Sequence, residues 1–367
     1  MEYQNRINPL LEAISYLGRK AAGNTWERME EQIRRKGIDP SPTFLSTMES
    51  MKVVTEHLDQ ICASTDVLSL FLNLEGFSHN TIGSASRAFF LLYGFLETHD
   101  GDFYKLVHRS QEMSMAQRAY HIALALDMQE ECDPDHMEPD SFMRMVLSLS
   151  IPDAGKVAIM ETYQNFPQLM AQLAQPMTQI LSVIEQQRQT LQQLCDVLQE
   201  KMTAVGCAAY LADNSSFTPA ENIHYILRPF VFGLDTDLTT DCSIDEVCMY
   251  SGILRQELLD MLSTLRSSRD SLFDAFRLLG DKTRFELVCY LSDHSAYGQE
   301  LSQRFDLSRN TIHHHMSKLS QCGLVRCTAD GNRVYYTLNR ERIRTLLAFQ
   351  EELLAGGVDT ALNKDNQ

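Results

Sequence analysis

The chain has 367 residues, 44% of them hydrophobic, with 32 Lys+Arg against 49 Asp+Glu and a formal net charge of −17. This length and apolar content suffice for two or three domains with real cores and exclude a disordered chain. No basic segment followed by an apolar core opens the chain, and its most apolar short run, Ala88 to Leu96, is well under a membrane span, so a cytoplasmic protein with no membrane partner is expected.

The nine cysteines (62, 132, 195, 207, 242, 248, 289, 322 and 327) are odd in number, scattered and without a Cys-x-x-Cys pair. That usage suits reduced thiols packed as small core residues rather than a disulfide framework. The acidity is unevenly spread: residues 1–269 hold 20 basic against 36 acidic side chains, residues 270–367 hold 12 against 13, and Glu300–Arg344 holds 8 against 4. The last stretch has the sign that phosphate binding needs.

In chain order, residues 1–125 read as helical, with apolar positions three and four apart in Leu10–Leu17, Met48–Leu58 and Ala88–Leu96. Turn signals separate them at Gly37–Pro42 and near Gly76 and Gly83. The sole tryptophan, Trp26, has no evident partner. The acidic loop Asp127–Asp140 contains Cys132, Asp133, Asp135 and His136, which are metal-ligand types. Their spacing matches neither a calcium loop nor a tetrahedral zinc pattern, and Pro134 and Pro139 favour a solvated connector.

Pro176–Val205 reads as one long amphipathic helix, its stripe formed by Met177, Leu181, Ile184, Leu191, Cys195, Leu198 and Met202 and interrupted by Arg188. It suits an internal core helix better than a two-helix dimer seam, since fewer than four clean heptads are present. Phe217–Gly233 then alternates in the manner of short strands up to a Phe-Val-Phe run, and Asp245–Leu265 reads as helix again. Arg266–Arg269 is the expected domain junction.

From Ser271 the pattern becomes more specific. Leu272–Leu279, with Phe273, Phe276 and Leu279 on one face, stops at Gly280; Asp281 then caps Lys282–Leu291, whose stripe is Phe285, Val288 and Cys289. Gly298–Phe305, with Leu301 and Phe305 inward, leads through a tight Asp306-Leu307 turn into a helix that Ser308 can cap and Gly323 can end. Ile312, Met316 and Leu319 share one face of it, His315 lies beside them, and Arg309, Asn310, His313 and Lys318 fall largely elsewhere. A short helix, a turn and a second helix with a polar outer face make a helix-turn-helix, the second helix being suited to a DNA groove. Val325–Thr328 and Arg333–Leu338 alternate around Ala329–Asn332 as a hairpin, a wing from which Arg326, Asn332 and Arg333 reach phosphates or the minor groove while Val334, Tyr336 and Leu338 share a face. Arg340–Leu353 is a last amphipathic helix offering Ile343, Leu346, Leu347 and Leu354 to a partner chain.

Several of these stretches in series, Phe276–Phe285, the Ser308-x-x-Thr311-Ile312-x-His314-His315-Met316-x-x-Leu319 helix, Gly323-Leu324-Val325 and the Gly331–Tyr336 wing, resemble the ArsR-type winged-helix repressors over about 80 residues. The resemblance implies a homodimer on an inverted repeat of double-stranded DNA, with the first and last helices of the module commonly forming the dimer interface. It also suggests metal sensing, from which this sequence departs: Tyr297–Phe305 lacks the Cys-x-Cys pair, and Arg340–Leu354 has no histidine. His313, His314 and His315 point about 100° apart on a helix, a poor chelating geometry. Nothing around Cys322 and Cys327 marks a reactive thiolate.

The fold class expected is mainly α: a large helical N-terminal region with a few short strands, followed by a winged helix-turn-helix with a two-stranded wing. The divisions are 1–175, helical; 176–265, a long helix plus a small α/β segment serving dimerisation or ligand sensing; 270–354, DNA-binding; and 355–367, a disordered tail. The expected function is a transcription regulator of repressor type, without cofactor or metal, with an unidentified small-molecule effector sensed by the N-terminal region. Ser308, Arg309, Asn310, Thr311 and His313 are the expected groove-facing residues, His314 is expected in packing and phosphate or base contact, Lys318, Arg326 and Arg333 mainly position the backbone, and Asn332 reaches phosphates or the minor groove. Three alternatives stand beside this: a helical adaptor whose winged helix no longer binds DNA, a metal- or redox-responsive repressor using Cys or His, and an enzyme fused to a DNA-binding module. No phosphate loop, Gly-x-Ser-x-Gly or His-Glu-x-x-His supports the last.

Overall fold

The computed structural model describes all residues except 36–38, 75–85, 127, 129–132, 150, 208, 211–216, 219–222, 235, 244, 259–260, 262–268, 308, 331–332 and 356–367. The chain divides into two compact units: residues 1–207 with 224–257, and residues 208–223 with 258–367.

The first unit is helical as expected. It contains α1 (Pro9–Ala21), α2 (Trp26–Arg35), α3 (Pro42–Ser64), α4 (Arg87–Leu92), α5 (Phe103–Glu112), α6 (Met115–Ala125), α7 (Pro139–Ser148), α8 (Asp153–Gln164), α9 (Phe166–Gln186) and α10 (Arg188–Val205). The starts follow local chemistry: Asn8, Ser41, Ser86 and Asp102 each accept a backbone N–H of the first turn, and Ser114 and Gln117 form a reciprocal capping box. Pro176–Val205 is two helices rather than one. α9 begins ten residues earlier, at Phe166, and accommodates Pro176 in its interior, and the chain breaks at Gln187. Met177, Leu181, Ile184, Leu191, Cys195, Leu198 and Met202 are all buried, so this stripe is spent on the unit's own core. In the acidic loop, Asp133 caps a small exposed turn, accepting from the Asp135 N–H and facing His136 Nδ1 at 3.0 Å. Cys132 lies outside the described residues.

A four-stranded mixed sheet completes the unit: β1 (Glu2–Tyr3), β3 (His224–Phe230), β5 (Glu246–Gly252) and β4 (Asp237–Ser243), in that order. β3 runs parallel to both β1 and β5, and β4 is antiparallel to β5. Two expectations are corrected here. Glu246–Gly252 is a strand, not the start of a helix over 245–265, because pairing on both sides fixes its Val-Cys-Met-Tyr run as extended backbone. β3 also does not alternate. Tyr225, Ile226 and Leu227 are consecutively buried, as in a strand covered on both faces.

The Phe-Val-Phe run leaves the sheet after Phe230 and turns. Glu12 on α1 accepts the N–H groups of Val231 and Phe232, each at 2.8 Å, while Ser15 and Arg19 donate to the Phe232 carbonyl and Arg19 also to that of Gly233. Side chains of one helix thus satisfy a buried loop that has no ladder. Gly233 is required, since a Cβ there would lie 2.2 Å from the Phe230 ring. Trp26 finds its partners at this turn, against Tyr16 and Phe232 at ring separations of 6.4 and 5.6 Å. Burial pushes the Glu12 carboxyl up to about 8 despite its two N–H donors.

The second unit holds, from Arg269 onward, a small module of helices and strands. It comprises α11 (Arg269–Leu279), α12 (Lys282–Leu291), β6 (Ala296–Tyr297), α13 (Gly298–Phe305), α14 (Arg309–Gln321), β7 (Val325–Asp330), β8 (Arg333–Leu338) and α15 (Arg340–Ala355). Its sheet has the order β2-β7-β8-β6, in which β2 (Phe217–Thr218) runs parallel to β7 and the β7–β8 wing is antiparallel. Phe217 therefore belongs to a different sheet from Tyr225 and Phe230. The expected tail lies, from residue 356, outside the described residues.

Candidate nucleic-acid interface

The turn of the helix-turn-helix is built from three local devices. Asp306 ends α13 in the left-handed conformation at φ 52°, which an Asp side chain tolerates better than most. Leu307 N–H returns to the Ser302 carbonyl at 3.1 Å and the Ser302 hydroxyl donates to the Leu307 carbonyl, locking the turn. At the other end of α14, Gly323 at φ +69° lets its N–H reach the Ser320 carbonyl and the Leu324 N–H reach that of Leu319, the paired closure of a Schellman motif.

Between these ends the helix has two faces. Ile312, Met316 and Leu319 are fully buried, in one cluster with Leu287, Val288, Leu291, Leu301, Leu324, Val325, Tyr336 and Leu346. His313 and His314 are exposed, and Thr311 and Lys318 are half-buried. At 100° per residue the direction opposite the buried stripe falls on Asn310, His314 and Ser317, with His313 and Lys318 flanking it and Arg309 at the margin. Ser317, omitted from the sequence reading, is recoverable from the same helical phase. The backbones of Arg309, Asn310 and Arg333 lie in α14 and β8; their side chains, and all of Ser308 and Asn332, lie outside what is described. Arg326 is exposed on β7.

The consecutive histidines do not converge on a metal. His314 and His315 are 6.2 Å apart between ring centres and tilted. Burial, then neighbouring cations, hold His314 below the usual imidazole range; burial does the same to His315, opposed by Asp281 and reinforced by Arg284 and Lys318. Both rings are therefore biased towards the neutral, hydrogen-bonding form rather than the cation. Among the described residues the single grouping of three metal-ligand types is Glu97, Cys242 and Cys248, in the first unit. Burial pushes the Cys322 and Cys327 thiols up, the opposite of a reactive thiolate.

Asp281 caps α12 as expected, accepting the Arg284 N–H at 2.9 Å, and the Arg284 side chain crosses back to the Leu278 carbonyl. Other faces of the module differ from expectation. α11 turns Ala275 inward, leaving Phe273 and Phe276 66% and 42% exposed, and α12 buries Leu287, Val288 and Leu291 while Phe285 and Cys289 are exposed. Each helix carries two apolar stripes, and the one that meets the core is chosen by the neighbouring helices. On α15, Leu346 is buried in the module's own core rather than offered to a partner, whereas Leu347 is 54% exposed. In the wing Tyr336 is buried, while Val334 is exposed instead of packing with it.

This arrangement of three helices, a turn of fixed geometry, a polar-faced helix and a β wing defines the second unit as a winged helix-turn-helix. Residues 281–326 match the family described as "Bacterial regulatory protein, arsR family", and the C-terminal module is an ArsR-type winged helix. It is similar to the HTH-type transcriptional regulator KmtR of Mycobacterium tuberculosis, 31% identical over 74 residues that make up 20% of this chain and 57% of that protein. It is also similar to the arsenical resistance operon repressor of Staphylococcus aureus, 35% identical over 63 residues, 17% of this chain and 61% of the relative. The transcriptional activator HlyU of Vibrio cholerae is 26% identical over 77 residues, 21% of this chain and 71% of its own length. A solved ArsR-like regulator from Rhodococcus sp. RHA1 aligns with 27% of this chain and 92% of its own, at 26% identity and a TM-score of 0.25. The chain thus spans little more than half of KmtR, and the likeness is confined to its C-terminal module.

Proposed function

We propose that the protein is a DNA-binding transcription regulator, of repressor type, that occupies an inverted-repeat operator as a homodimer. The observation that carries the reading is α14: a helix whose buried stripe anchors it to an ArsR-type module while His313 and His314 are exposed. In the major groove, Ser308, Arg309, Asn310, Thr311, His313 and His314 contact base edges, Asn310 having the donor–acceptor pair that suits adenine and Arg309 the fork that suits guanine. Lys318, Arg326, Asn332 and Arg333 hold the phosphates and orient the wing. Exposed Phe273 and Phe276 on α11, Phe285 on α12 and Leu347 on α15 support the homodimer, since a second copy of the module covers such apolar side chains best. The acidic first unit has the role of sensing an effector or assembling the dimer.

The test is a gel shift across a salt series on the DNA fragments that the purified protein retains. Arg309→Ala is expected to reduce the preference for the operator over random DNA, whereas Arg333→Ala weakens both and lowers the salt slope by about one unit. Negligible binding by the full chain at every salt concentration overturns the reading in favour of an adaptor.

A further inference from the structure

The first unit contains a sulfur pair that the DNA-binding reading does not use. Cys242 on β4 and Cys248 on β5 come together because the register between these strands slips: Asp241 pairs with Val247 and Ser243 with Glu246, so Cys242 is the extra residue of a β-bulge. Its sulfur lies 2.6 Å from that of Cys248, well inside the separation of two non-bonded sulfurs and within a small side-chain movement of the ~2.04 Å of a disulfide. Cys248 is fully buried and Cys242 half-buried, so Cys242 is the member of the pair nearer to solvent.

The surroundings discriminate between a dithiol and a metal site. Glu97 is the third group nearby, its carboxylate within 4.8 Å of the sulfurs. Both of its oxygens are already engaged: Oε1 accepts the hydroxyls of Thr240 and Tyr250, each at 2.7 Å, and Oε2 faces Arg228 at 3.1 Å. The Arg228 guanidinium opposes a divalent cation at this spot. Two sulfurs binding one zinc ion at ~2.3 Å each in tetrahedral geometry must also stand further apart than these do.

We infer that Cys242 and Cys248 form a reversible dithiol–disulfide couple, a covalent modification site in the N-terminal unit that reacts with low-molecular-weight disulfides. The Cys242 thiol gives up its proton to solvent, and its sulfur attacks one sulfur of R–S–S–R; that bond breaks and RS⁻ leaves, to be protonated as RSH. The Cys248 thiol, likewise deprotonated, attacks the Cys242 sulfur of the mixed disulfide and expels the second RS⁻. Two protein thiols are oxidised and one external disulfide is reduced to two thiols, which balances protons and electrons. Burial pushes both protein thiols up, so the reaction is slow at neutral pH and its rate rises about tenfold per pH unit below the thiol pKa.

The experiment uses the full chain incubated with oxidised glutathione at pH 7, 8 and 9, then denatured, alkylated and analysed by mass spectrometry, with cleavage after Glu246 to separate the two cysteines. The expected product is a Cys242–Cys248 cross-link lighter by two hydrogens, formed faster at each higher pH and reversed by dithiothreitol. Cys242→Ser, its fold checked by circular dichroism, is expected to leave Cys248 alkylated in full. Complete alkylation of both cysteines in the oxidised wild-type chain overturns the inference, as does a disulfide that links other cysteines. Stoichiometric zinc binding in native mass spectrometry that Glu97→Gln abolishes overturns it in favour of a metal site.

Discussion

The two units of this chain differ in where their phenylalanine side chains go. The first, acidic unit leaves aliphatic residues such as Leu45, Val53, Leu72, Leu147 and Val157 at its surface but none of its described phenylalanines nor Trp26, and it buries the 177–202 stripe and even Glu12, Ser15 and His121, giving each of these three a partner. The second has a core of about a dozen residues and leaves three phenylalanines and a leucine at its surface. A small core with unspent aromatic area is the signature of a fold completed by association. The contrast leaves the smaller unit with aromatic surface that the proposed homodimer would cover.

The hardest way to break that contrast is to empty the smaller core. Leu319→Ala is expected to cost about 2–5 kcal/mol, enough to unfold the module at a lower urea concentration than the first unit and to abolish the gel shift; a single unchanged transition would refute the independence of the two cores. Replacing Phe273 and Phe276 together by Ser should weaken self-association by about thirty-fold or more, from the ~2 kcal/mol typical of a central interface residue, in sedimentation equilibrium. An unchanged dimer would move the interface elsewhere. Gly94→Ala probes the opposite property, the tight interior of the first unit. A Cβ there would stand 2.6 Å from the His121 ring, and a loss of ~1–3 kcal/mol is expected in urea unfolding, leaving DNA affinity alone.

The same unit should carry a pH signature of two opposed slopes. Burial lowers His121 to about 4, so the unfolded chain takes up that proton first and stability is lost as pH falls from about 6.5 towards 4. Glu12 is raised to about 8, so the folded chain holds its proton longer than the unfolded one and stability is lost as pH rises from about 4.5 to 8. Urea midpoints against pH test this, and Glu12→Gln should remove the alkaline slope while leaving the acid one. The smallest effect expected is that of Lys318→Ala, a salt slope shallower by about one unit with operator preference kept.

How much of this was legible in the sequence depended on whether the code was local. The α13–turn–α14 unit was readable because Leu301, Ile312, Met316, Leu319 and Gly323 act within two or three helical turns, and the wing because a hairpin closes over neighbouring residues. The strand at Glu246–Gly252 was misread because its conformation comes from β3 and β4, not from its own spacing. Phe273, Phe276 and Phe285 read only as members of apolar stripes, because a helix with two such stripes does not say which one meets the core. Trp26 lacked a partner until the turn at Phe232, more than 200 positions away, arrived beside it. The side of α14 opposite its buried stripe is legible from helical phase; the Cys242–Cys248 pair is not, since it depends on one bulge residue in a strand register.

The pairing of β1 with β3 carries a consequence for how the chain is made. Glu2 and Tyr3 find their partners at Ile226 and Leu227, so the first strand leaves the ribosome long before the backbone it must pair with. At roughly 5–20 residues per second that interval is on the order of ten to forty seconds. Through it the helices of the first unit can assemble while Glu2 and Tyr3 have no strand to pair with.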